Sequence, residues 1–392
     1  MYQGLPSSLA LDAEQKAFRD TIRRFVDKEV QPFIDEWEEA GTFPRELYRT
    51  AAELGMLGLG FPEQYGGLPT NLAMEMAMIE ELARAGSGGL LASLFSHTIG
   101  APPIVFGGSD ELKERLLPAI LAGEKISALA ITEPSGGSDV ANLTTRAVRD
   151  GDHYIVDGSK IFITSGMRAD WITVAVRTGE GRGAGGISML LVPGDSAGLN
   201  RTRLSKMGWL CSDTATLHFD NVRVPARYLL GDEGAGFRMI MGNFNGERIG
   251  LAAGALGFSQ ACLDEALAWA RERKAFGASL IEHQAVRHKL VDMQMRIAST
   301  EAWLEAVSAE GDAHEAAGRF NAPEWVAQIC MLKNNATQTM QFCADQAVQI
   351  LGGMGFMRGT VSERIYREVK VMMIGGGAEE IMKELAARQM GW

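Results

Sequence analysis

AITEPSGGSDVANLTTRAVRDGDHYIVDGSKIFITSG, residues 130–166, decides the fold. It reads as a strand, a glycine-serine turn, a hairpin and a second strand closing on a Thr/Ser pair. Pro134 follows Thr132 and Glu133 and ends the first strand, because proline cannot donate to a ladder and fixes the chain's entry to the loop. Gly136, Gly137 and Ser138 let backbone N–H groups approach a ligand closely, and Ser138 with Asp139 adds short polar groups. Asp150-Gly151, set between the alternations Ala147/Val148 and Tyr154/Val156, is a hairpin signal. A glycine-rich turn alone is only a turn. Followed by Phe162-Ile163-Thr164-Ser165-Gly166 at the next strand end, it becomes a specific arrangement.

The chain changes character on either side. Phe18, Ile22, Phe25, Val26 and Val30 recur at helical spacing behind Asp12 as N-cap. Leu72, Met76, Ile79 and Leu82 form a second stripe ending near Gly86, and Leu112 to Leu121 a further short helix. From Ile126 to about Val224 the runs are short and β-rich: Ile172 to Val176, Ile187 to Val192, Ala215 to Phe219. Gly179 to Gly186 reads as a loop tip. After Gly231 the pattern is helical again, with Leu251, Ala255, Phe258, Cys262, Leu263, Ala266 and Trp269 on one face and Gln284 to Glu310 continuing. This order predicts an α+β chain of segregated blocks: an N-terminal helical domain (1–125), a middle antiparallel β-domain (126–232) and a C-terminal helical bundle (233–392). No strand–GxGxxG–helix unit supports a Rossmann reading.

Composition narrows the function. The 392 residues are 46% hydrophobic and 22% charged, with a net charge of −11, which argues against nucleic acid or an anionic membrane surface. Cys211, Cys262, Cys330 and Cys343 show no metal spacing and read as buried reduced thiols. Met1 to Ala10 lacks the features of a secretory signal, and no run reaches the ~20 apolar residues of a membrane span. The expectation is a soluble intracellular chain, cytoplasmic, or from the mitochondrial matrix if a eukaryotic precursor has been trimmed.

Taken in this order, the motifs resemble the acyl-CoA dehydrogenase family over about Leu11 to Met390, most densely at 130–166, 231–284 and 346–384. The resemblance implies an FAD enzyme of fatty acid β-oxidation that converts an acyl-CoA to a trans-2-enoyl-CoA. It also implies a homotetramer, built as a dimer of dimers, that passes electrons to an electron-transfer flavoprotein. By the same resemblance Leu129, Ile131, Thr132, Gly137 and Ser138 contact the flavin or the CoA portion. Phe162, Ile163 and Thr164 lie along the isoalloxazine, where hydroxyls, amides and an aromatic ring tune it. Arg271 to Gly277 with Glu282-His283-Gln284 grips the FAD diphosphate across a dimer interface through Arg273, Phe276 and Gln284. Gln349, Gly352 and Gly353 come from a neighbouring subunit, and Glu380 supports the FAD.

The reaction needs a base to take the α-proton, and a carboxylate in a dry pocket suits it. Many family members carry that glutamate just before a Gly-Thr pair near the C-terminus; here Gly376 stands there. Long-chain and isovaleryl-type members carry it on the helix entered through Glu-Arg, which this chain has as Phe244-Asn245-Gly246-Glu247-Arg248-Ile249. Glu247 is therefore the expected base. Ser138, Phe244, Arg248, Gly375 and Gly376 are the expected substrate contacts. By itself, a Glu-Arg pair at a helix start is a surface carboxylate favoured by the dipole. Asn142, Gly359, Gly375 and Ala378 depart from the family pattern, the lost Ala378 hydroxyl costing on the order of 1 kcal/mol. Gly375 to Gly377 leave room for a bulky or branched acyl group. Leu91 to Ile104, with small Ala92, Ser93 and Ser96 and a break at Pro102-Pro103, lines the pocket tail for a medium or long chain. The rival readings are a flavin oxidase or monooxygenase on the same fold, and a CoA- or flavin-binding scaffold without a base.

Overall fold

The structure is a computed structural model that describes residues 11–179, 183–319 and 321–392. The centre of the Gly179–Gly186 connection, residues 180–182, lies outside the described residues.

Helices α1 (Ala13–Phe25), α2 (Ile34–Ala40), α3 (Glu46–Glu53), α4 (Leu72–Ala83), α5 (Gly88–Leu94), α6 (His97–Gly100), α7 (Pro102–Gly107) and α8 (Asp110–Leu121) come first. α1 starts where the sequence placed it. Asp12 accepts from Gln15 N at 2.8 Å while the Gln15 side chain accepts from Asp12 N at 3.1 Å, a closed capping box. The stripe runs on through a π-helical turn at Val26–Val30, which keeps Val26 and Val30 buried beside Phe25. The Leu91–Ile104 stretch departs from expectation. Pro102 and Pro103 open α7 rather than break a helix, at a position where the missing N–H has no helical partner to lose.

Strands β1 (Ser127–Ala130), β2 (Arg146–Asp150), β3 (His153–Ile163), β4 (Trp171–Arg177), β5 (Ile187–Pro193), β6 (Leu199–Arg203), β7 (Ala215–Pro225) and β8 (Leu229–Leu230) form one sheet in the order β6-β7-β3-β2-β4-β5-β8, with β1 beside β4. Its ladders are mainly antiparallel. β1, however, runs parallel to β4, from Ser127 opposite Trp171 to Ala130 opposite Val174. A parallel pair needs a long crossover, and the loop and hairpin from 131 to 170 supply it. That hairpin turns one residue later than expected: Asp150 pairs with His153, so Gly151 and Asp152 make the turn, with Gly151 at φ +61°.

The remainder is α9 (Gly236–Glu272), a hairpin of β9 (Lys274–Ala275) and β10 (Ala278–Ser279), then α10 (Gln284–Ala316), α11 (Pro323–Leu351), α12 (Val361–Ile374) and α13 (Glu379–Gln389). One apolar core joins the N-terminal helices to the sheet. A second joins α9, α10, α11 and α12, with α4 contributing to both. Among the described residues no single helix is long and apolar enough to cross a membrane.

Candidate active site

The third and fourth turns of α9 carry Phe244, Glu247 and Arg248 toward the end of α12. The Arg248 guanidinium lies 5.5 Å from the Phe244 ring centre, and its Nε donates to Gly376 O at 3.0 Å. α12 ends at Ile374 with Gly375 as its cap, and the chain passes the Glu247 carboxylate at Gly376. Gly376 takes φ +65°, and a Cβ placed there would lie 3.8 Å from Glu247 Oε1 and 2.8 Å from Leu251 Cδ1. Glu247 and Leu251, one turn apart on α9, thus fill the space that a side chain at 376 would claim. A Cβ at Gly377 would meet Met382 Cε at 2.3 Å. Gly375 alone faces open space, with only Val371 O at 3.0 Å. The expected room beside the reacting carbons is therefore confined to the Gly375 side.

Glu247 is half-buried. Burial pushes its carboxyl above the ordinary carboxylate range, while the charges of Arg248 and Lys333 pull it back. Lys333, buried in α11, donates to Met373 O at 3.1 Å and to Gly377 O at 2.8 Å. Sequence reasoning missed this lysine. Its signal was there: Val326, Cys330, Lys333, Thr337 and Met340 share one helical stripe, and the only charge on it is buried.

The loop after β1 is organised by Glu133. Its carboxylate accepts from Thr144 N and Oγ1, both at 2.7 Å, from Thr145 N at 2.8 Å and from buried Lys160 Nζ at 2.9 Å. Burial pushes this carboxyl up, but the Lys160 charge and the threonine hydrogen bonds outweigh it and hold it at about 2. Leu129 and Ile131 are buried beneath the loop, whereas Gly137 and Ser138 are exposed on it. Thr132 is half-buried, and its carbonyl accepts from Ile161 N at 2.9 Å. Asn142, a departure from the family pattern, donates to Asp139 at 2.6 Å and fastens the loop's far side.

The expected flavin strand ends as follows. Ile163 is buried, Thr164 half-buried, and Phe162 is exposed with φ +64°. Phe276 is fully exposed at φ +53° on the tip of the β9–β10 hairpin. Only five non-glycine residues take positive φ among the described residues, and two are these phenylalanines. A strained backbone that displays an apolar ring to solvent points to something that covers the ring. Arg273, Gln284, Gln349 and Glu380 are exposed, and Gly352 and Gly353 have nothing within 4 Å of where a Cβ would stand. The structure thus brings Phe244, Glu247, Arg248, Gly375 and Gly376 together in one place. Arg273, Phe276, Gln284, Gln349, Gly352 and Gly353 form a separate set of exposed donors, ring and open backbone. Exposed guanidinium and amide donors, an uncovered ring and open glycine backbone are groups suited to holding a dinucleotide that bears a diphosphate.

The leading pocket expectation is only partly met. Ser93 and Ser96 are buried and committed to hydrogen bonds, Ser93 Oγ to Ser212 at 2.9 Å and Ser96 Oγ to Ser165 at 3.0 Å. Leu91 reaches the site's edge, where a Cβ on Gly254 would lie 3.3 Å from its Cδ2 and 3.6 Å from Met372 Cε.

Three family models match in succession: acyl-CoA dehydrogenase N-terminal domain at residues 12–124, middle domain at 128–222 and C-terminal domain at 234–391. The chain is 37% identical to a long-chain specific acyl-CoA dehydrogenase of Rattus norvegicus, covering 96% of this chain and 86% of that one. It superposes with a TM-score of 0.93 on a crystal structure of an acyl-CoA dehydrogenase described as putative, from Mycobacterium smegmatis, at 46% identity over 98% of this chain and 99% of that one. A glutaryl-CoA dehydrogenase of the same organism, solved in complex with FADH2, gives a TM-score of 0.90 at 28% identity over 98% and 96%.

Proposed function

The chain belongs to the acyl-CoA dehydrogenase family, whose members are flavin-dependent oxidoreductases, and from that premise we propose that it oxidises a saturated acyl-CoA to the trans-2-enoyl-CoA with Glu247 as base. The observation that carries this reading is the placement of Glu247 Oε1 3.8 Å from where a Cβ at position 376 would begin. The carboxylate thereby occupies the neighbourhood that other members fill from the other side.

FAD would be held by the Thr132–Ser138 loop, by Phe162, Ile163 and Thr164, and by Arg273, Phe276, Gln284, Gln349, Gly352, Gly353 and Glu380. When bound, it supplies the acceptor for the β-hydride. Glu247 takes the α-proton. Its raised affinity for a proton, a product of burial, grows as an acyl chain displaces the remaining water. Arg248 fixes the Gly376 carbonyl and so keeps the segment facing Glu247 in one conformation. The elements bearing Arg273 and Gln349 reach a neighbouring subunit, so the working form is a homotetramer. An electron-transfer flavoprotein removes the electrons, and the open side at Gly375 favours a branched or medium-to-long acyl group.

The test is an anaerobic titration of the purified protein with acyl-CoAs of graded length and branching, followed by flavin absorbance. Bleaching by one set of thioesters is expected, with Glu247→Gln slowing it by about 10³-fold or more. A yellow protein that no saturated acyl-CoA bleaches would overturn the activity; normal bleaching in Glu247→Gln would overturn the base.

A further inference from the structure

Lys333 is an expensive residue at its position. It is buried in α11 and, among the described residues, forms no ion pair; two main-chain carbonyls hold its ammonium. A methionine would fill the same volume without desolvating a charge. What lysine adds is a tether and a field. The tether runs to Met373 O and Gly377 O, on either side of Gly376, whose own carbonyl is taken by Arg248. The field falls on Glu247, whose ionised form the charges of Arg248 and Lys333 both favour.

We propose that Lys333 is a positioning residue, which clamps the Gly375–Gly377 segment against the Glu247 carboxylate and lends that carboxylate a nearby positive charge. The proposal rests on the reading of Glu247 as the base. The groups that face this centre are Glu247 and Arg248 from α9, Cys330 and Lys333 from α11, and Glu379 from the start of α13. Burial draws Lys333 down to about 8, with Glu379 and Glu247 opposing, so the ammonium stays charged through neutral pH. A cation beside a carboxylate favours its ionised form. Removing the cation must raise the proton affinity of Glu247 further.

The acid limb of kcat/KM reads that affinity in the free enzyme. In Lys333→Met and Lys333→Gln the limb should move up by about one pH unit, and in Lys333→Arg it should stay. The exchange of acyl α-protons with deuterated water, which reads the base without the oxidation, should shift in the same way. A loss of activity with the acid limb and the exchange profile unmoved would reduce Lys333 to fold support and overturn the proposal. An equal shift in Lys333→Arg would do the same.

A double-mutant cycle on thermal midpoint covers poor folding. If the two groups are coupled, Lys333→Met costs less in a Glu247→Gln background than alone. Additive losses, or a double variant that also fails to fold, would overturn the proposal. Glu247→Gln alone separates the two claims: full turnover there sinks the base assignment, whereas an inactive Glu247→Gln beside an unshifted Lys333→Met sinks only the role of Lys333.

Discussion

Three adjacent glycines turn out to do two different things. Gly376 needs its glycine for backbone reasons, since φ +65° is strained for any other residue by about 1 kcal/mol. Gly377 needs its glycine for the same reason, at φ +114°, whereas the Met382 Cε near its Cβ position is the free end of a flexible side chain. Gly375 has no such requirement: φ −63° and ψ 153° suit any residue, and the one near neighbour of a Cβ there is the Val371 carbonyl oxygen at 3.0 Å. Its glycine therefore speaks to the ligand and not to the fold. Gly375→Tyr should leave the thermal midpoint within a few degrees while lowering kcat/KM for branched acyl-CoAs at least tenfold relative to straight ones. A ratio that does not move would show that the open side at Gly375 has no part in substrate choice. The sequence showed the missing side chains but not which were missing from open space. That depended on the backbone angles after α12 and on Leu251, which no local pattern reveals.

At the level of elements the periodic segments were legible and the pairings were not. α1, α4, α8, α9 and α10 sit where the apolar stripes and the Asp12 cap placed them, because one buried face writes a repeat of three to four residues into the sequence. The parallel β1–β4 ladder left no such trace. Both strands are mostly buried and show no alternation of polar and apolar residues, so nothing local specifies direction. The loop from 131 to 145 lies between these cases: its turn residues were readable, but the charge pair beneath was not. Glu133 is held at about 2 against an ordinary 4.5. Its contribution is complete above the ordinary value and is lost as pH falls from 4.5 toward 2, since the unfolded chain takes up the proton first. Glu133→Gln removes this step and leaves Lys160 without its carboxylate. In denaturant titrations from pH 2 to 6, the gap between wild type and variant should be widest near pH 6 and shrink toward pH 2. Amide exchange at Thr144 and Thr145 should quicken in the variant. A constant gap would mean the Glu133 carboxylate gains nothing from its partners.

The whole molecule is pinned together by a buried acidic cluster that no motif announced. Glu368 on α12 accepts from Gly88 N at 2.8 Å and Trp209 N at 2.9 Å. Glu38 on α2 accepts from Ser87 Oγ at 2.6 Å and Leu210 N at 3.1 Å. One turn before Glu368, Arg364 pairs with Asp35 and donates to Gly86 O at 3.3 Å. The N-terminal helices, the β6–β7 connection and the C-terminal helices thus meet on two carboxylates. Burial, and then the nearby Glu38 charge, pushes Glu368 up to about 8, so the folded protein holds a proton there that the unfolded chain releases above 4.5. Across that window the folded state binds more protons, and this group's contribution falls as pH rises. Glu368→Gln cannot follow the change. Its amide keeps one acceptor for two N–H donors, which should cost about 1–3 kcal/mol near pH 5, where wild-type Glu368 is fully protonated in the fold. By pH 8 wild type has lost its advantage, and the two midpoints should converge or cross. Denaturation curves at pH 5, 6.5 and 8 decide the matter: midpoints that stay equally spaced would mean that Glu368 is ionised in the folded protein throughout, and that the three blocks are joined by hydrogen bonds to a carboxylate and not to an acid.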